Sequence, residues 1–285
     1  MLLSQKKERE LEETANKIRE NIIEMLEHAG SGHSAGPLGM ADIFTAFYFH
    51  ILNHKPKQPD WEDRDRVVLS NGHIVPVQYA AMAYAGYFPV KELKTLRKIN
   101  SRLQGHPHRW SPPGIETTSG PLGSGLSQAA GIAIAAKLDK KRHRVYCFMS
   151  DGEHDEGNIW EAVMFVGKYR LNNLTAIMDR NNIQIDGYTE KVMPLEPLRE
   201  KYESFGWHVL EIDGHNFEHI IDAVNEAKAI YEEPTLIIAH TIPGKGVSFM
   251  EGDYTWHGRP PTAEEEKRAL AQLRTLGGKI RSEHE

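Results

Sequence analysis

The sequence predicts an α/β fold, a mostly parallel sheet with helices on both faces. Two apolar runs, residues 145–149 and 174–178, are typical of strands that are buried on both sides. Between them, residues 159–169 place Ile159, Val163 and Val166 on one face of a helix. Because strand and helix patterns alternate in this way along most of the chain, parallel strands joined by crossover helices are the expected architecture.

The remaining elements follow the same alternation. A helix is predicted at residues 14–28, where Ile18, Ile22 and Met25 share a face and Gly30 ends the pattern. The other predicted elements are a strand at 66–70, a helix at 126–138, a strand at 207–212, a helix at 217–230 and a strand at 236–239. Residues 262–265 resemble a capping box that opens a last, charged helix on the surface. We expect a single domain over residues 1–285.

The composition narrows the class of protein. The chain has 285 residues, 40% hydrophobic and 26% charged, as is usual for a soluble globular protein. Its net charge of −6 comes from interleaved acids and bases, so nucleic acid is not an expected partner. No run approaches the roughly 18 apolar residues of a membrane span, and residues 1–9 are too polar for a signal peptide. The lone cysteine, Cys147, cannot form an internal disulfide, and we expect a cytoplasmic location.

The most informative residues follow two neighbouring strands. Asp151 comes after the strand at residues 145–149, and Asn181 follows the next strand, about one βαβ unit later. Both side chains should therefore lie at the same edge of the sheet. Their oxygens are ligands that Mg²⁺ accepts together with phosphate oxygens, and a helix beginning near Gly157 favours an anion there. An Asp-Gly or Asn-Asn pair alone is more often a turn or loop, but together at this spacing they favour a metal–diphosphate site.

Histidines and glycines mark the loops around this edge. His33, His73, His106 and His257 lie in glycine- or proline-rich loops, and residues 120–125 form a glycine-rich loop before an alanine-rich helix. An imidazole exchanges protons near neutral pH and donates to phosphate or hydroxyl oxygens. Each histidine alone is more often a surface or capping residue, and such a glycine-rich loop often only turns the chain. No histidine pair has the short helical spacing of a zinc motif.

These motifs resemble those of the transketolase family, in the family's order and over nearly the whole chain. They are Ser31-Gly32-His33 with Gly36-Pro37-Leu38-Gly39, Ser70-Asn71-Gly72-His73, Gly105-His106-Pro107, Gly120-Pro121-Leu122-Gly123, Asp151-Gly152 to Glu156-Gly157, Asp179 to Gly187, and Trp256-His257-Gly258. Two positions depart from the family pattern. Ser150 stands where the cofactor signature has a glycine, and His108 stands where many relatives have an acidic residue. The resemblance implies the thiamine-diphosphate-binding fold.

The resemblance also implies a role for individual residues. The metal, Mg²⁺ or alternatively Ca²⁺ or Mn²⁺, would be held by Asp151, Asn181 and the carbonyl of Ile183. The residues implied to bind thiamine diphosphate are His73, Gly120, Pro121, Leu122, Asp151, Gly152, Glu156, Asn181, Ile185 and His257. Among these, Gly152, His73 and His257 would contact the diphosphate, with Leu122 and Ile185 beside the thiazolium ring. The implied catalytic residues, which face the sugar and handle protons, are His33, His106 and His257. Glu156 and Glu161 would form a proton network at a subunit interface.

The implied reaction transfers a two-carbon ketol unit from a ketose phosphate to an aldose phosphate. In the family, a second domain supplies the glutamate that protonates the cofactor's aminopyrimidine and most of the arginines that bind the sugar phosphate. No residue of this chain is a candidate for that glutamate. The expected partner is therefore a separate C-terminal transketolase subunit, in an α₂β₂ heterotetramer.

Other functions share parts of this pattern. A ketol transferase for an unusual sugar, such as a branched or sulfonated one, is an alternative within the same chemistry, and the residues that decide between them would lie mostly on the partner. A 1-deoxyxylulose-phosphate synthase and a 2-oxoacid dehydrogenase E1 subunit share the cofactor signature, but the histidine motifs fit transketolase better. A non-catalytic binding protein is disfavoured by the full set of metal and diphosphate residues. A Mg²⁺-dependent phosphohydrolase leaves the histidine loops unexplained.

Overall fold

A five-stranded parallel sheet forms the centre of the protein. The computed structural model describes residues 3–283, with side chains described for residues 3–280. The strands are β1 (Arg66–Leu69), β2 (Val145–Ser150), β3 (Leu174–Arg180), β4 (Ile183–Gln184), β5 (Gly187–Tyr188), β6 (His208–Asp213) and β7 (Thr235–His240). The sheet has the order β1-β2-β3-β7-β6 with every pair parallel, and β4 and β5 form a small antiparallel hairpin. The predicted fold class is confirmed.

Helices connect the strands and cover the sheet. They are α1 (Gln5–Ala29), α2 (Ala35–Gly39), α3 (Ala41–Ala46), α4 (Val75–Ala85), α5 (Ser124–Leu138), α6 (Gly157–Lys168), α7 (Thr189–Val192), α8 (Leu198–Ser204), α9 (Phe217–Ala229) and α10 (Ala263–Glu283). Each predicted helix and strand has a counterpart here. The sequence patterns do not predict α2, α3, α4, α7 or α8.

The side chains of β2 show that both faces of the sheet are buried. Tyr146 and Phe148 pack into a core formed with residues of α1, α3, α4 and α9. Cys147 and Met149 point to the opposite face and pack into a second core formed with α5, α6 and α8. Successive side chains of a strand alternate between faces, so one continuous apolar run supplies both cores. This explains why the strands lack polar alternation.

Helix α1 is longer than its sequence pattern predicts. The hydroxyl oxygen of Ser4 caps its first turn by accepting a hydrogen bond from the Lys7 amide, so the helix begins at Gln5. It ends at Ala29, followed by Gly30 with a φ of 67°. The helix therefore ends where predicted. It starts earlier than predicted, because residues 5–10 are polar and none is buried, so no apolar spacing marks them.

Helix α10 opens at the predicted capping box and packs against α1. The amide of Thr262 donates to Glu265 Oε2 at 2.9 Å, and the Glu265 amide donates to Thr262 Oγ1 at 3.3 Å. One face of the helix is buried through Ala269 and Leu273, while the charged face is exposed as predicted. Within residues 3–283, no helix has both the length and the apolar character that crossing a membrane requires.

Candidate active site

The carboxyl ends of neighbouring strands bring the predicted site residues to one edge of the sheet. The loop of residues 70–73 follows β1, Asp151 follows β2, and Asn181 follows β3. The register aligns these ends, because Ser150 lies beside Asp179 in the adjacent strand. Parallel pairing therefore places the predicted metal ligands on the same side of the sheet, as the spacing indicates.

Asp151 is completely buried and its two oxygens are bonded differently. Oδ1 accepts one hydrogen bond, from the amide of Gly152 at 2.7 Å. Oδ2 accepts from the Asn182 amide at 2.7 Å and from Arg180 Nη1 at 3.2 Å. Asn182 reaches this position with a φ of 62°, a left-handed conformation that asparagine adopts more readily than most residues. Since a carboxylate oxygen can accept two bonds, Oδ1 is the oxygen with room for a cation.

Asn181 is oriented by a second buried carboxylate. Its Nδ2 donates to Asp179 Oδ2 at 2.9 Å, and its Oδ1 accepts from the amide of Ile183 at 3.0 Å. The hydroxyl of Thr241 donates to the other oxygen of Asp179. These bonds fix which end of the Asn181 amide is oxygen. Carboxylate and amide oxygens thus lie at neighbouring strand ends, and this is the ligand chemistry that Mg²⁺ prefers.

Burial governs the protonation of both carboxyl groups. It raises the pKa of Asp151 to about 6, although bonds from Asn182 and Arg180 oppose the shift. Burial, together with the charge of Asp151, raises the pKa of Asp179 to about 7. At neutral pH the Asp151 carboxylate is therefore ionised and can bind a cation, while Asp179 is close to its midpoint.

Three histidine rings lie against one another beside this edge. The ring centroids are 4.8 Å apart for His33 and His73, 5.5 Å for His33 and His257, and 5.1 Å for His73 and His257. Burial, then the neighbouring His257, lowers the pKa of His33 to about 4. Burial also places the pKa of His73 well below its ordinary value and lowers that of His257. These imidazoles are neutral at pH 7, so each can donate one hydrogen bond and accept another.

The histidines and strand ends enclose a cavity of about 250 Å³. The predicted site residues that line it are His33, His73, His106, Gly120, Leu122, Gly152, Ile183, Ile185 and His257. Ser150, Glu153 and Gln184 complete the lining. Asp151 and Asn181 are buried at the strand ends, next to this lining in sequence.

Other predicted residues lie outside the cavity. Pro121 is exposed, although its neighbours Gly120 and Leu122 line the wall. Glu156 and Glu161 are exposed at the start of α6 and do not contribute to the lining. His108 is also exposed and outside the cavity, where its carbonyl accepts a hydrogen bond in a local turn.

Arg97, to which sequence analysis gives no role, lies between two histidine loops. Its Nη2 donates to the carbonyl of Gly105 at 3.3 Å. A Cβ on Gly105 would lie 2.6 Å from the Arg97 Cζ, and one on Gly32 would lie 3.7 Å from the Arg97 Nε. The cation contributes to the lowered pKa of both His33 and His106, after burial. Gly105 thus leaves space for the guanidinium, whereas a Cβ on Gly32 would meet the Leu26 side chain first, at 2.6 Å.

Glu153 and Arg180 are also absent from the sequence-based assignment. The amide of Ser150 donates to Glu153 Oε2 at 2.8 Å, and the Glu153 amide lies 3.4 Å from Ser150 Oγ, the reciprocal pattern of a capping box. These bonds give a local structural role to the serine that replaces the signature glycine, and the Ser-x-x-Glu spacing behind them is visible in the sequence.

Arg180 pairs with Asp151 and also donates to Glu190 and Glu196, at 2.7 and 2.8 Å. No sequence spacing indicates these contacts.

Comparison with known proteins identifies what this arrangement is similar to. The family model described as "Transketolase, thiamine diphosphate binding domain" matches residues 11–278. A 6-deoxy-6-sulfo-D-fructose transketolase subunit of Clostridium sp. (strain MSTE9) is 44% identical over 268 residues, which covers 94% of this chain and 98% of the relative. An apulose-4-phosphate transketolase subunit of Phocaeicola vulgatus is 41% identical over 274 residues, covering 96% of this chain and 97% of the relative.

Solved structures give the same fold. The transketolase from Leishmania mexicana superposes with a TM-score of 0.85 at 33% identity. The match covers 96% of this chain and 45% of the Leishmania chain. The chain therefore spans just under half the length of that enzyme.

Proposed function

The chain belongs to the transketolase family, and we propose that it is the cofactor-binding subunit of an enzyme that transfers a two-carbon ketol unit between sugar phosphates. It matches the family's thiamine diphosphate binding domain over residues 11–278. The observation that carries the proposal is that neutral histidines from separate loops line one cavity, while Asp151 and Asn181 lie at neighbouring strand ends close in sequence to Gly152 and Ile183 of its lining.

The residues present fit a metal-bound diphosphate. Asp151 Oδ1 and Asn181 Oδ1 each accept a single hydrogen bond from the described residues, which leaves a lone pair on each for a cation. We propose that these atoms and the Ile183 carbonyl hold Mg²⁺, with Gly152 and the histidines His73 and His257 at the diphosphate. Other divalent ions with oxygen preference, such as Ca²⁺ or Mn²⁺, suit the same ligands.

The cavity histidines would then bind the hydroxyl groups of the sugar and exchange protons with them. Thiamine diphosphate supplies, when bound, a nucleophilic ring carbon and a place for the electron pair released on C–C cleavage. His33, His106 and His257 line the remaining wall, and being neutral they can donate to a substrate hydroxyl or accept its proton. Leu122 and Ile185 offer apolar contact on the same cavity.

We propose that a separate C-terminal chain completes the site in an α₂β₂ assembly. Two relatives of matching length are themselves named as transketolase subunits. Glu156 and Glu161 are exposed on this chain, where a second protein chain can reach them. Their proposed role is an interface proton network, and the proposed setting is pentose phosphate metabolism in the cytoplasm.

A second candidate differs only in the sugar. The relatives at 44% and 41% identity are named for 6-deoxy-6-sulfo-D-fructose and for apulose 4-phosphate, respectively. This chain would then carry the same cofactor chemistry, while the acceptor and donor sugars are chosen largely by the partner chain.

The experiment that separates these functions is an assay of the chain with and without a co-expressed candidate partner subunit. Ketol transfer from xylulose 5-phosphate to ribose 5-phosphate would be measured with thiamine diphosphate and Mg²⁺, followed by sulfonated and branched sugars. Activity with the pentose phosphates that is found only when both chains are present supports the proposed two-subunit transketolase. Activity of this chain by itself contradicts the two-subunit proposal, and activity only with a modified sugar favours the second candidate.

The metal assignment is tested by Asp151→Ala. Loss of the carboxylate should abolish Mg²⁺-dependent binding of thiamine diphosphate, measured by isothermal titration calorimetry, while circular dichroism stays native. Asp222→Ala, which removes an exposed carboxylate on α9, is the matched control and should bind as the wild type does. Tight Mg²⁺-dependent binding by Asp151→Ala would refute the assignment.

A further inference from the structure

Glu153 is a fully buried carboxylate that accepts hydrogen bonds within its own loop and from two other loops. The hydroxyl of Ser70, after β1, donates to Oε1. The amide of Gly123, in the glycine-rich loop, donates to the same oxygen at 2.9 Å. The amide of Ser150, at the end of β2, donates to Oε2 at 2.8 Å. All three partners are donors, so the group acts purely as an acceptor.

Each of these loops carries residues assigned to the cofactor under the proposed function. Ser70 precedes His73 on the first loop, Gly123 follows Leu122 on the second, and Ser150 precedes the Asp151-Gly152 pair on the third. No other side chain among the described residues bonds to all three loops. Glu153 also lines the cavity itself.

The loops meet too closely to adjust independently. A Cβ on Gly125 would lie 2.4 Å from the Ser70 Cβ and 2.5 Å from its Cα, so backbone meets backbone at this point. The Gly125 amide donates to Ser70 Oγ at 3.1 Å, which extends the chain of bonds from α5 through Ser70 to Glu153. Gly123 has a φ of 79° and is packed against the Asn158 side chain. The carboxylate thus lies at the centre of a rigid contact.

We propose that Glu153 is the positioning residue that sets the three cofactor-binding loops relative to one another, so that the chain has its full affinity for Mg²⁺–thiamine diphosphate only when this acceptor is present. The inference rests on the proposed function. Glu153 itself is assigned no contact with the metal and no proton transfer. It acts through Ser70, Gly123 and Ser150.

The substitution Glu153→Gln tests the acceptor role with almost no change in volume. A glutamine has one acceptor oxygen and one NH₂ donor. If its oxygen faces Ser70 and Gly123, the NH₂ group opposes the amide of Ser150. If it is turned around, the NH₂ group opposes the amide of Gly123. Either orientation leaves a buried backbone N–H without an acceptor.

The full-length chain would be compared as wild type, Glu153→Gln, Ser70→Ala and Asp155→Asn. Asp155→Asn is the matched control, because it makes the same kind of change in the same short segment at an exposed position. Thiamine diphosphate affinity with Mg²⁺ is measured by calorimetry well below each unfolding temperature, so that only folded protein is compared. Hydrogen exchange of the Gly123 and Ser150 amides is measured without cofactor.

We expect Glu153→Gln to raise the Kd by about tenfold or more and to speed exchange at both amides, as an unsatisfied buried donor implies. Ser70→Ala should give a smaller rise, and Asp155→Asn none. A purely structural role would lower the unfolding temperature but leave the Kd of the folded protein unchanged, and this result would overturn the inference.

Two further outcomes are distinguishable. If the wild type binds no thiamine diphosphate, the proposed function fails and this inference with it. If Glu153→Gln does not fold, Ser70→Ala decides: a raised Kd supports the positioning role, and an unchanged Kd overturns it.

Discussion

Arg97 and the cavity histidines share one electrostatic environment. Burial lowers the pKa of His33, His106 and His257, and the guanidinium adds to this for His33 and His106 because a nearby cation disfavours a second positive charge. The histidine cluster therefore lies beside the permanent cation of Arg97. Neutral rings suit proton exchange with hydroxyl groups, and burial favours this neutral form, with a further contribution from Arg97 at His33 and His106.

The substitution Arg97→Met should make the nearby histidines more basic. Methionine keeps an apolar stem in the space between the two loops and removes the charge. The pKa of His106 should rise toward its ordinary value of 6.5, because Arg97 is its main influence after burial. The pKa of His33 should rise less, because His257 and His106 affect it more strongly. A titration of the imidazole C–H signals by NMR measures both.

Lys98→Met is the matched control for this experiment. Lys98 is the next residue, is exposed, and is not among the charges that affect either histidine. Its removal should leave both titrations unchanged. If His106 titrated at the same pH in the Arg97 variant and the wild type, the electrostatic role of the guanidinium would be wrong.

At the scale of elements, two helical glycines test how tightly the layers pack. A Cβ on Gly167, in α6, would lie 1.9 Å from the carbonyl oxygen of Phe205. Gly131, in α5, has nothing within 4 Å of such an atom. Gly167→Ala should therefore lower the free energy of unfolding by about 3 kcal/mol through overpacking. Gly131→Ala should raise it by roughly 0.5–1 kcal/mol, the ordinary helix preference for alanine.

Urea unfolding of both variants measures this difference directly. Each replaces a glycine by alanine within a helix, so intrinsic helix propensity shifts both in the same direction. Only the contact with Phe205 separates them. Equal stabilities for the two variants would show that α6 can move away from the residues that follow α8.

Three of the helices that the sequence patterns do not predict, α2, α3 and α4, share a physical property. Residues 75–83 of α4 are buried on all sides, and so are all residues of α2 and α3. A helix without an exposed face has no apolar period to recognise, and its sequence resembles a buried strand or loop. By contrast, α6 and α9 each have one buried face, and their positions were predicted within a few residues. Apolar periodicity therefore reveals helices that have one buried face and one exposed face.

The site residues likewise differ in whether the sequence can predict them. Asp151 and Asn181 were predictable because a parallel sheet places consecutive strand ends together. Arg97 and Arg180 were not, because their partners come from loops whose meeting depends on the complete fold. Glu153 is intermediate. Its bond to Ser150 follows from a local sequence pattern, but its bonds to Ser70 and Gly123 join segments far apart in the chain.

At the scale of the whole molecule, the cavity is only partly covered by this chain. Ile185 lines the cavity and is nevertheless 65% exposed to solvent. An enzyme that forms a reactive carbon nucleophile gains from excluding water, so a further protein surface over Ile185 suits the proposed function. The Leishmania structure, of which this chain matches 45%, contains more than twice the length of chain.

Helix α6 offers a surface for such assembly. Its buried face is formed by Ile159, Ala162, Val163 and Val166. Its opposite face carries a stripe at helical spacing that is exposed to solvent and combines charged with large apolar residues. The stripe consists of Glu161, Met164, Phe165 and Lys168. Exposed apolar residues that cluster in this way are typical of protein interfaces, and the stripe includes Glu161, one of the two glutamates proposed for the interface network.

The substitution Phe165→Glu should therefore weaken assembly without unfolding the chain. Phe165 is 39% exposed, and a charge in its place would have to be desolvated on contact with another protein chain. We expect association to be at least about tenfold weaker, since burying one such side chain contributes roughly 2 kcal/mol. Sedimentation velocity of the chain with its partner measures the effect.

Tyr231→Glu is the control, because Tyr231 is 80% exposed and lies beyond the end of α9, outside the stripe. Equal sedimentation of both variants and the wild type would place the interface elsewhere. A smaller complex for Phe165→Glu alone, with thiamine diphosphate binding retained in part, would locate the interface on α6.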